Sequence, residues 1–333
     1  LYNVPNISDT KITLEILKLL GCKIRRNSDK IEINSKNITS QEIPEHLMRE
    51  MRSTVILAGA LLGRFKEVTF SYPGGCDIGS RPIDLHINAF KKLGVDIIED
   101  GGYIRCKADK IIGTNIDLDF PSVGATENII LASIFAEGTT TINNAAMEPE
   151  IIDLVKYLKK MGAKISGEGT VKITINGVKN LISTNYNVMP DRIEAGTMLC
   201  AVAATGGSVR LNNVNPNHID AIINKLEECG CNIEIGEKNK KTKTQDIVIP
   251  KRLNAIEIKT LPYPGFPTDM QQIFSAMLVK AKGTSVIIEN IFENRFKHLS
   301  ELRKMGAKVT IEGKTAIIRG VKKVNGATTV CTD

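Results

Sequence analysis

The chain has 333 residues, of which 42% are hydrophobic and 24% are charged, and its net charge is +7. This balance predicts an ordinary soluble globular protein of two domains. No apolar run reaches the ~18 residues that cross a membrane, and no signal peptide opens the sequence. These features argue against a membrane-spanning or exported protein and predict a cytoplasmic location.

Cysteine and histidine residues give no support for a metal centre. The seven cysteines are scattered without CxxC spacing, which is typical of reduced thiols, and the four histidines form no HxxxH pair. We therefore expect neither a metal nor another cofactor. The positive charge suits anionic ligands, but the sequence lacks the Lys/Arg stripe and aromatic pattern of nucleic-acid binding. No nucleic acid, membrane or obligatory protein partner is expected.

Taken in chain order, the predicted elements repeat. Five glycines, at intervals of about 70 residues, each end an amphipathic helical pattern and begin a β-rich run; they are Gly21, Gly94, Gly162, Gly230 and Gly306. Each unit also contains a more apolar helix followed by a β-branched strand, and these pairs are predicted at 52–70, 124–142, 192–211 and 269–288. The repeat predicts an α/β (α+β) fold of small packed modules.

Prolines mark two of the predicted helix starts. Pro82 and Pro149 stand where a first helical turn accepts proline, so helices are predicted to begin at these residues. Both ends of the chain fall inside a repeat unit, because residues 1–5 match residues 211–216 of another unit and residues 330–333 match residues 266–269. The fold is therefore expected to be incomplete at both termini.

Two segments carry residues suited to acid–base chemistry. Cys76 lies at the tip of a loop hinged by Gly74 and Gly75, and a thiol that is mostly protonated at neutral pH can donate a proton. Arg81 follows five residues later, before a predicted helix start, where a guanidinium and free backbone amides attract an anion. Asp269 opens another predicted helix and is the candidate proton acceptor once it is desolvated.

Each of these residues also has an ordinary structural interpretation. A cysteine in a glycine turn can be incidental, and Arg81 can pair with Asp77 or Asp84 at the surface. Asp269 can be a plain helix N-cap, and Arg52 can begin a helix in solvent. The residues alone leave both interpretations open.

Four segments, in the same order, resemble those of a known enzyme family. They are PGGCDIGSRPIDLH (73–86), FPSVGATENI (120–129), PGFPTDMQQ (264–272) and ENRFKHLSELRKMGA (293–307). Over its whole length the chain resembles the UDP-N-acetylglucosamine 1-carboxyvinyltransferases (MurA), which share the fold of EPSP synthase. The resemblance implies two domains of repeated βαβαββ-like units that close on substrate. We place them at 1–188, with the Cys76 loop, and at 189–333, with Asp269.

The resemblance also implies a reaction. These enzymes move the enolpyruvyl group of phosphoenolpyruvate to the 3′-hydroxyl of UDP-N-acetylglucosamine and release phosphate, the first committed step of peptidoglycan synthesis. In this chain it makes Cys76 the acid, and the residue that the epoxide antibiotic fosfomycin modifies, and Asp269 the base. The implied substrate contacts are Arg52, Arg81, Pro82, Ile83, Asp84, Leu85, Ser122, Val123, Gly124, Ile291, Phe292 and Arg295. For the Ser122 segment, a plain ST-turn is the alternative.

Two other functions remain open from the sequence. One is a shikimate-type enolpyruvyl transferase, which shares the repeat fold and is distinguished by binding shikimate 3-phosphate. The other is a truncated, non-catalytic relative that binds UDP-sugars, which is distinguished by the lack of phosphate release.

Overall fold

The computed structural model describes residues 1–75, 78–80, 82–235, 245–248 and 253–330. By their internal contacts the residues form two compact units, Leu1–Gly75 with Pro82–Met189 and Cys76–Arg81 with Pro190–Asp333. We call these the first and the second unit. The division into domains at residue 188 stays a prediction.

The first unit contains six α-helices and nine strands among its described residues. The helices are α1 Ser8–Leu19, α2 Glu45–Glu50, α3 Ile56–Phe65, α4 Asp84–Lys92, α5 Val123–Ser133 and α6 Pro149–Lys160, with a 3-10 helix at Arg52–Val55. The strands are β1 Lys23–Asn27, β2 Lys30–Asn34, β3 Glu67–Ser71, β4 Asp96–Asp100, β5 Tyr103–Lys107, β6 Asn115–Asp117, β7 Thr139–Asn143, β8 Lys164–Ser166 and β9 Lys172–Asn176.

The second unit follows the same plan. Its α-helices are α7 Arg192–Thr205, α8 Asp220–Glu228, α9 Gln271–Leu278 and α10 His298–Lys304, with 3-10 helices at Pro216–His218 and Thr268–Met270. Its described strands are β10 Ser208–Leu211, β11 Asn232–Ile235, β12 Gln245–Val248, β13 Glu257–Lys259, β14 Thr284–Ile288, β15 Lys308–Glu312 and β16 Thr315–Arg319.

Two four-stranded sheets, one in each unit, show the repeat most completely. The strand order is β6-β7-β9-β8 in the first unit and β13-β14-β16-β15 in the second. In both sheets the first two strands are parallel and the remaining pairs are antiparallel. The elements in each case run βαβαββ along the chain. The predicted α/β (α+β) fold of repeated βαβαββ units is therefore confirmed.

The five repeated glycines end five helices in one geometry. Each has a positive φ, between 87° for Gly94 and 106° for Gly21, a region that residues with a Cβ rarely adopt. In the first copy the amide of Gly21 donates to the Lys18 carbonyl and the amide of Cys22 donates to the Leu17 carbonyl. The same pair of bonds follows every one of the five helices. This is the Schellman motif, and it explains the periodic glycines.

One of the two proline predictions is wrong. Pro149 is at the start of α6 as expected, but α4 begins at Asp84 rather than at Pro82. Ile83 has non-helical angles, φ −104° and ψ 18°, and its carbonyl accepts the first helical bond. The Pro82 carbonyl instead accepts a hydrogen bond from the Arg52 side chain at 3.2 Å. Because the proline ring fixes φ at about −65°, proline is compatible with a segment that leads into a helix as well as with a first helical turn.

Helices α3 and α5 form the centre of the first unit and approach each other closely. Gly59 and Gly63 of α3 face the α5 backbone, where a methyl group at Gly59 would lie 2.4 Å from the Asn128 carbonyl oxygen. A methyl at Gly63 would lie 2.6 Å from the Leu131 carbonyl oxygen. The hydrophobic core of the same unit includes the fully buried side chains of Phe70 and Ile129. The close packing of α3 against α5 thus requires residues without a Cβ at Gly59 and Gly63.

Substituting Gly59 with alanine should therefore lower the free energy of unfolding by about 2–3 kcal/mol, because the two helices must move apart. Gly196→Ala in α7 is the matched control. A methyl there meets the ends of the Met270 and Ile222 side chains, at 2.9 and 3.0 Å, and flexible side chains can move. Denaturant unfolding measures both variants, and equal losses would contradict the role assigned to the α3–α5 contact.

Within the described residues, no helix has both the length and the apolar character required to cross a membrane. The predicted cytoplasmic location stays a prediction.

Candidate active site

One buried asparagine joins three helices of the first unit. Asn128 of α5 accepts a hydrogen bond at Oδ1 from the Gly59 amide, 2.7 Å away. Its Nδ2 donates to the Val55 carbonyl at 3.0 Å and contacts Nδ1 of His86 at 2.7 Å. The end of the 3-10 helix before α3, the first turn of α4 and the middle of α5 are therefore held together, and predicted site residues lie in or next to each of these elements.

The orientation of the Asn128 amide determines the protonation of His86. Because Oδ1 faces an N–H group, Nδ2 must face the imidazole and donate to it, so Nδ1 of His86 is an acceptor. The single proton of the neutral ring is then on Nε2. Burial, aided by the Arg52 charge and opposed by Asp84, lowers the pKa of His86 from 6.5 to about 4. The Cε1–Nε2 edge of the ring faces Gly124.

This arrangement predicts a loss of stability in acid. The folded state favours the neutral form of a histidine whose pKa it lowers. The contribution of His86 to the free energy of unfolding is therefore complete above pH 6.5 and disappears as the pH falls towards 4. The difference between 6.5 and about 4 corresponds to roughly 3 kcal/mol. In His86→Gln the free energy of unfolding should be lower at neutral pH but should fall less between pH 7 and pH 4. An equally steep fall in the variant would contradict this assignment.

The predicted substrate contacts of the first unit lie at or just before the starts of these helices. Arg52 is the first residue of its 3-10 helix, and its Nη2 donates to the Pro82 carbonyl. Ser122 is the N-cap of α5: its Oγ accepts from the Ala125 amide at 3.3 Å and its carbonyl from Thr126 at 3.0 Å. Ser122 therefore has a structural role as a helix cap, and its contact with substrate stays a prediction. The amide end of an 11-residue helix is available next to His86.

Other predicted contacts before α4 differ in exposure. Ile83 is 3% exposed and belongs to the core, so its side chain supports the helix start from inside. Asp84 and Leu85 open α4, and Leu85 packs against the same core. Cys76 and Arg81, with the alternative partner Asp77, lie outside the described residues.

The cysteines in the described part of the chain are all buried. Burial raises the pKa of Cys106 and of Cys229 to about 12, and that of Cys231 to about 11. It also raises the pKa of Cys22, and that of Cys200 well above its ordinary value. A thiol reacts as its thiolate, so these five side chains are poor nucleophiles at neutral pH.

In the second unit, Asp269 pairs with Arg295. Nη2 of Arg295 donates to Oδ1 of Asp269 at 2.8 Å, and the side chains are 8% and 53% exposed respectively. The helical turn Thr268–Met270 takes no hydrogen bond from a side-chain cap, and neither does α9. The interpretation of Asp269 as a plain N-cap is therefore wrong. Its carboxylate is held by a buried cation and presents a face to solvent.

Three predicted residues of the second unit are brought together at this pair. The Arg295 guanidinium lies over the Phe292 ring, 5.1 Å from its centroid. Ile291 and Phe292 are fixed by their amides, which donate to the Glu289 carboxylate. The described loop residues 78–80 also belong to this unit: Ile78 is 4% exposed and its carbonyl accepts from the Asn294 amide at 3.1 Å.

Four residues that support these sites were not predicted from the sequence: Asn128, His86, Thr268 and Glu289. Two of them, Asn128 and Glu289, have a recognisable feature in the sequence. Asn128 is a polar residue within an apolar helix, and Glu289 ends the apolar run of β14. Neither signal identifies the partner, which is distant in the sequence.

Comparison with known proteins identifies the family of the chain. The family EPSP synthase (3-phosphoshikimate 1-carboxyvinyltransferase) matches residues 1–333. The chain belongs to this family. It is 48% identical over 334 residues to UDP-N-acetylglucosamine 1-carboxyvinyltransferase 2 of Caldanaerobacter subterraneus subsp. tengcongensis, covering 100% of this chain and 79% of that relative. It is also 48% identical over 335 residues to the UDP-N-acetylglucosamine 1-carboxyvinyltransferase of Clostridium botulinum, covering 99% and 78%. The resemblance predicted from the four motifs is confirmed.

Solved structures agree on the EPSP synthase fold. The enolpyruvyl transferase NikO from Streptomyces tendae matches with a TM-score of 0.83 at 20% identity, over 96% of this chain and 75% of that one. EPSP synthase from Acinetobacter baumannii matches with a TM-score of 0.68 at 21% identity, over the same shares. At these identities the likeness shows the fold alone.

Proposed function

We propose that this chain is an enolpyruvyl transferase that moves the enolpyruvyl group of phosphoenolpyruvate to the 3′-hydroxyl of UDP-N-acetylglucosamine and releases phosphate. The observation that carries the proposal is the 48% identity, over the whole chain, to enzymes named for this reaction. The arrangement of Asp269 supports it, because a carboxylate with one oxygen held and a solvent-facing side is suited to accept a proton.

The reaction proceeds by addition and then elimination. Asp269 takes the proton of the sugar 3′-hydroxyl as that oxygen bonds to the central carbon of phosphoenolpyruvate. Cys76 gives a proton to the methylene carbon in the same addition. In the elimination that follows, the Cys76 thiolate takes a proton back from the resulting methyl group and phosphate departs with the proton held by Asp269. The double bond forms in the product, and both side chains regain their starting protonation. Overall, the 3′-oxygen of the sugar loses its proton and gains one enolpyruvyl group, and phosphate is the leaving group.

We assign binding groups in each of the two units. We assign the diphosphate to the α5 start at Ser122, Val123 and Gly124, where helix amides favour an anion. Arg52 and Arg81 provide positive charge for phosphate or carboxylate groups. In the first unit we assign nucleotide contacts to Pro82, Ile83, Asp84 and Leu85, with Ile83 acting through its backbone because its side chain is buried. In the second unit we assign substrate contacts to Ile291, Phe292 and Arg295.

The acceptor is tested by phosphate release from phosphoenolpyruvate with two candidate acceptors, UDP-N-acetylglucosamine and shikimate 3-phosphate. We expect phosphate to be released only when UDP-N-acetylglucosamine is the acceptor. Release with shikimate 3-phosphate alone would assign the shikimate-type reaction, and binding of UDP-N-acetylglucosamine without release would indicate a non-catalytic relative.

A further inference from the structure

The most heavily hydrogen-bonded acidic group near Asp269 is one to which the proposed chemistry assigns no role. Glu289 follows β14 and is 1% exposed. Its carboxylate accepts four hydrogen bonds: at Oε1 from Thr260 Oγ1 (2.8 Å), the Ile291 amide (2.8 Å) and the Phe292 amide (3.2 Å), and at Oε2 from Thr268 Oγ1 (2.9 Å). Burying a carboxylate is costly without such bonds, so this network holds the group in one position.

One of these bonds leads to the candidate base. Thr268 donates its hydroxyl proton to Glu289, since a carboxylate can only accept. The lone pairs of the hydroxyl are then left for Arg295, whose Nη1 donates to Thr268 Oγ1 at 2.9 Å. The other terminal nitrogen, Nη2, donates to Asp269 Oδ1 at 2.8 Å. The hydrogen bonds therefore run in one direction, from the guanidinium through the hydroxyl to the buried carboxylate.

This direction affects how Arg295 meets Asp269. A guanidinium beside a carboxylate commonly forms two parallel hydrogen bonds that occupy both oxygens. Here Nη1 is engaged by Thr268, so the pair with Asp269 is made through Nη2 to Oδ1. Among the described residues, Oδ2 of Asp269 has no hydrogen-bond partner. That oxygen is open to a substrate hydroxyl.

We propose that Thr268 and Glu289 are positioning residues that hold Arg295 in a single-oxygen contact with Asp269, and so keep Oδ2 available to take the proton of the acceptor hydroxyl. The inference rests on the proposed function for its effect on turnover, but its geometric part stands by itself. Glu289 also fixes the amides of Ile291 and Phe292, so one buried carboxylate sets both the base and the adjacent segment.

The test compares two threonines that bind the same carboxylate. Thr268→Val removes the hydroxyl that links Glu289 to Arg295, whereas Thr260→Val removes another donor to Glu289 that is linked to the Asn290 amide instead. We expect Thr268→Val to lower kcat by about 10- to 100-fold, with KM for UDP-N-acetylglucosamine nearly unchanged, because the base is misaligned. Thr260→Val should lose thermal stability and keep its kcat. Thr268→Ser, which retains the hydroxyl, should keep kcat as well, and Glu289→Gln should behave like Thr268→Val.

A crystal structure of Thr268→Val separates this proposal from the proposed function. We expect Arg295 to turn and donate to both oxygens of Asp269 in that variant. If the unsubstituted chain transfers no enolpyruvyl group, the proposed function fails and this structure alone decides the positioning role. An Arg295–Asp269 contact that is unchanged in the variant, or equal kcat values for Thr268→Val and Thr260→Val, would overturn the positioning role.

Discussion

Asp269→Asn should lower the rate of phosphate release by about 10³-fold, because an amide cannot take the proton of the sugar hydroxyl. The substitution keeps the size of the side chain, and the oxygen of the amide can still accept the hydrogen bond from Arg295. Binding of UDP-N-acetylglucosamine should therefore persist, as calorimetry can measure. Asp269→Ala should show a similar loss of turnover, since it also removes the base.

Asp220→Asn is the control for this prediction. Asp220 is an exposed acid in the first turn of α8, in the same unit. Its substitution tests whether any acid at a helix start affects turnover, and we expect none. Near-normal turnover in Asp269→Asn would show that the carboxylate does not act as the base.

Cys76→Ser should abolish covalent modification by fosfomycin, measured by the intact mass of the protein. A thiolate opens the epoxide and forms a thioether, whereas a serine hydroxyl is not ionised at neutral pH. The five cysteines that the structure describes are buried, and burial raises their pKa values. Of the seven cysteines in the sequence, Cys76 and Cys331 are the other two.

Cys331→Ser is the matched control, and it should still gain one fosfomycin adduct. If Cys76→Ser gains the same adduct as the unsubstituted chain, Cys76 is excluded as the reactive thiol. If the adduct is lost in Cys331→Ser instead, the reactive group lies at the other end of the chain. Either result would remove the basis for assigning Cys76 as the proton donor.

Local patterns predicted the repeat well. A glycine directly after an amphipathic helix is typical of the left-handed residue that ends a Schellman motif. All five predicted glycines have this geometry. The start of α4 was predicted less well. Pro82 has the local features of a first helical residue, but its carbonyl bonds to Arg52, 30 residues earlier in the chain. Local sequence carries no information about such a contact.

The candidate sites also depend on contacts between residues that are distant in the sequence. The motif around Asp269 marks a candidate base, but the position of its side chain depends on Arg295, and through Thr268 on Glu289, which lie 26 and 20 residues further along the chain. Likewise, the role of Asn128 follows from contacts with Val55 and His86, which lie 73 and 42 residues away in the sequence. A motif marks a candidate functional residue, whereas the residues that support it are defined only by the fold.

The most direct test of the proposed reaction is the mass of the product that this chain forms from phosphoenolpyruvate and UDP-N-acetylglucosamine. We expect the UDP-sugar to gain one enolpyruvyl group, with one phosphate released for each molecule of product. An unmodified UDP-sugar accompanied by free pyruvate and phosphate, or by no reaction, would contradict the proposal.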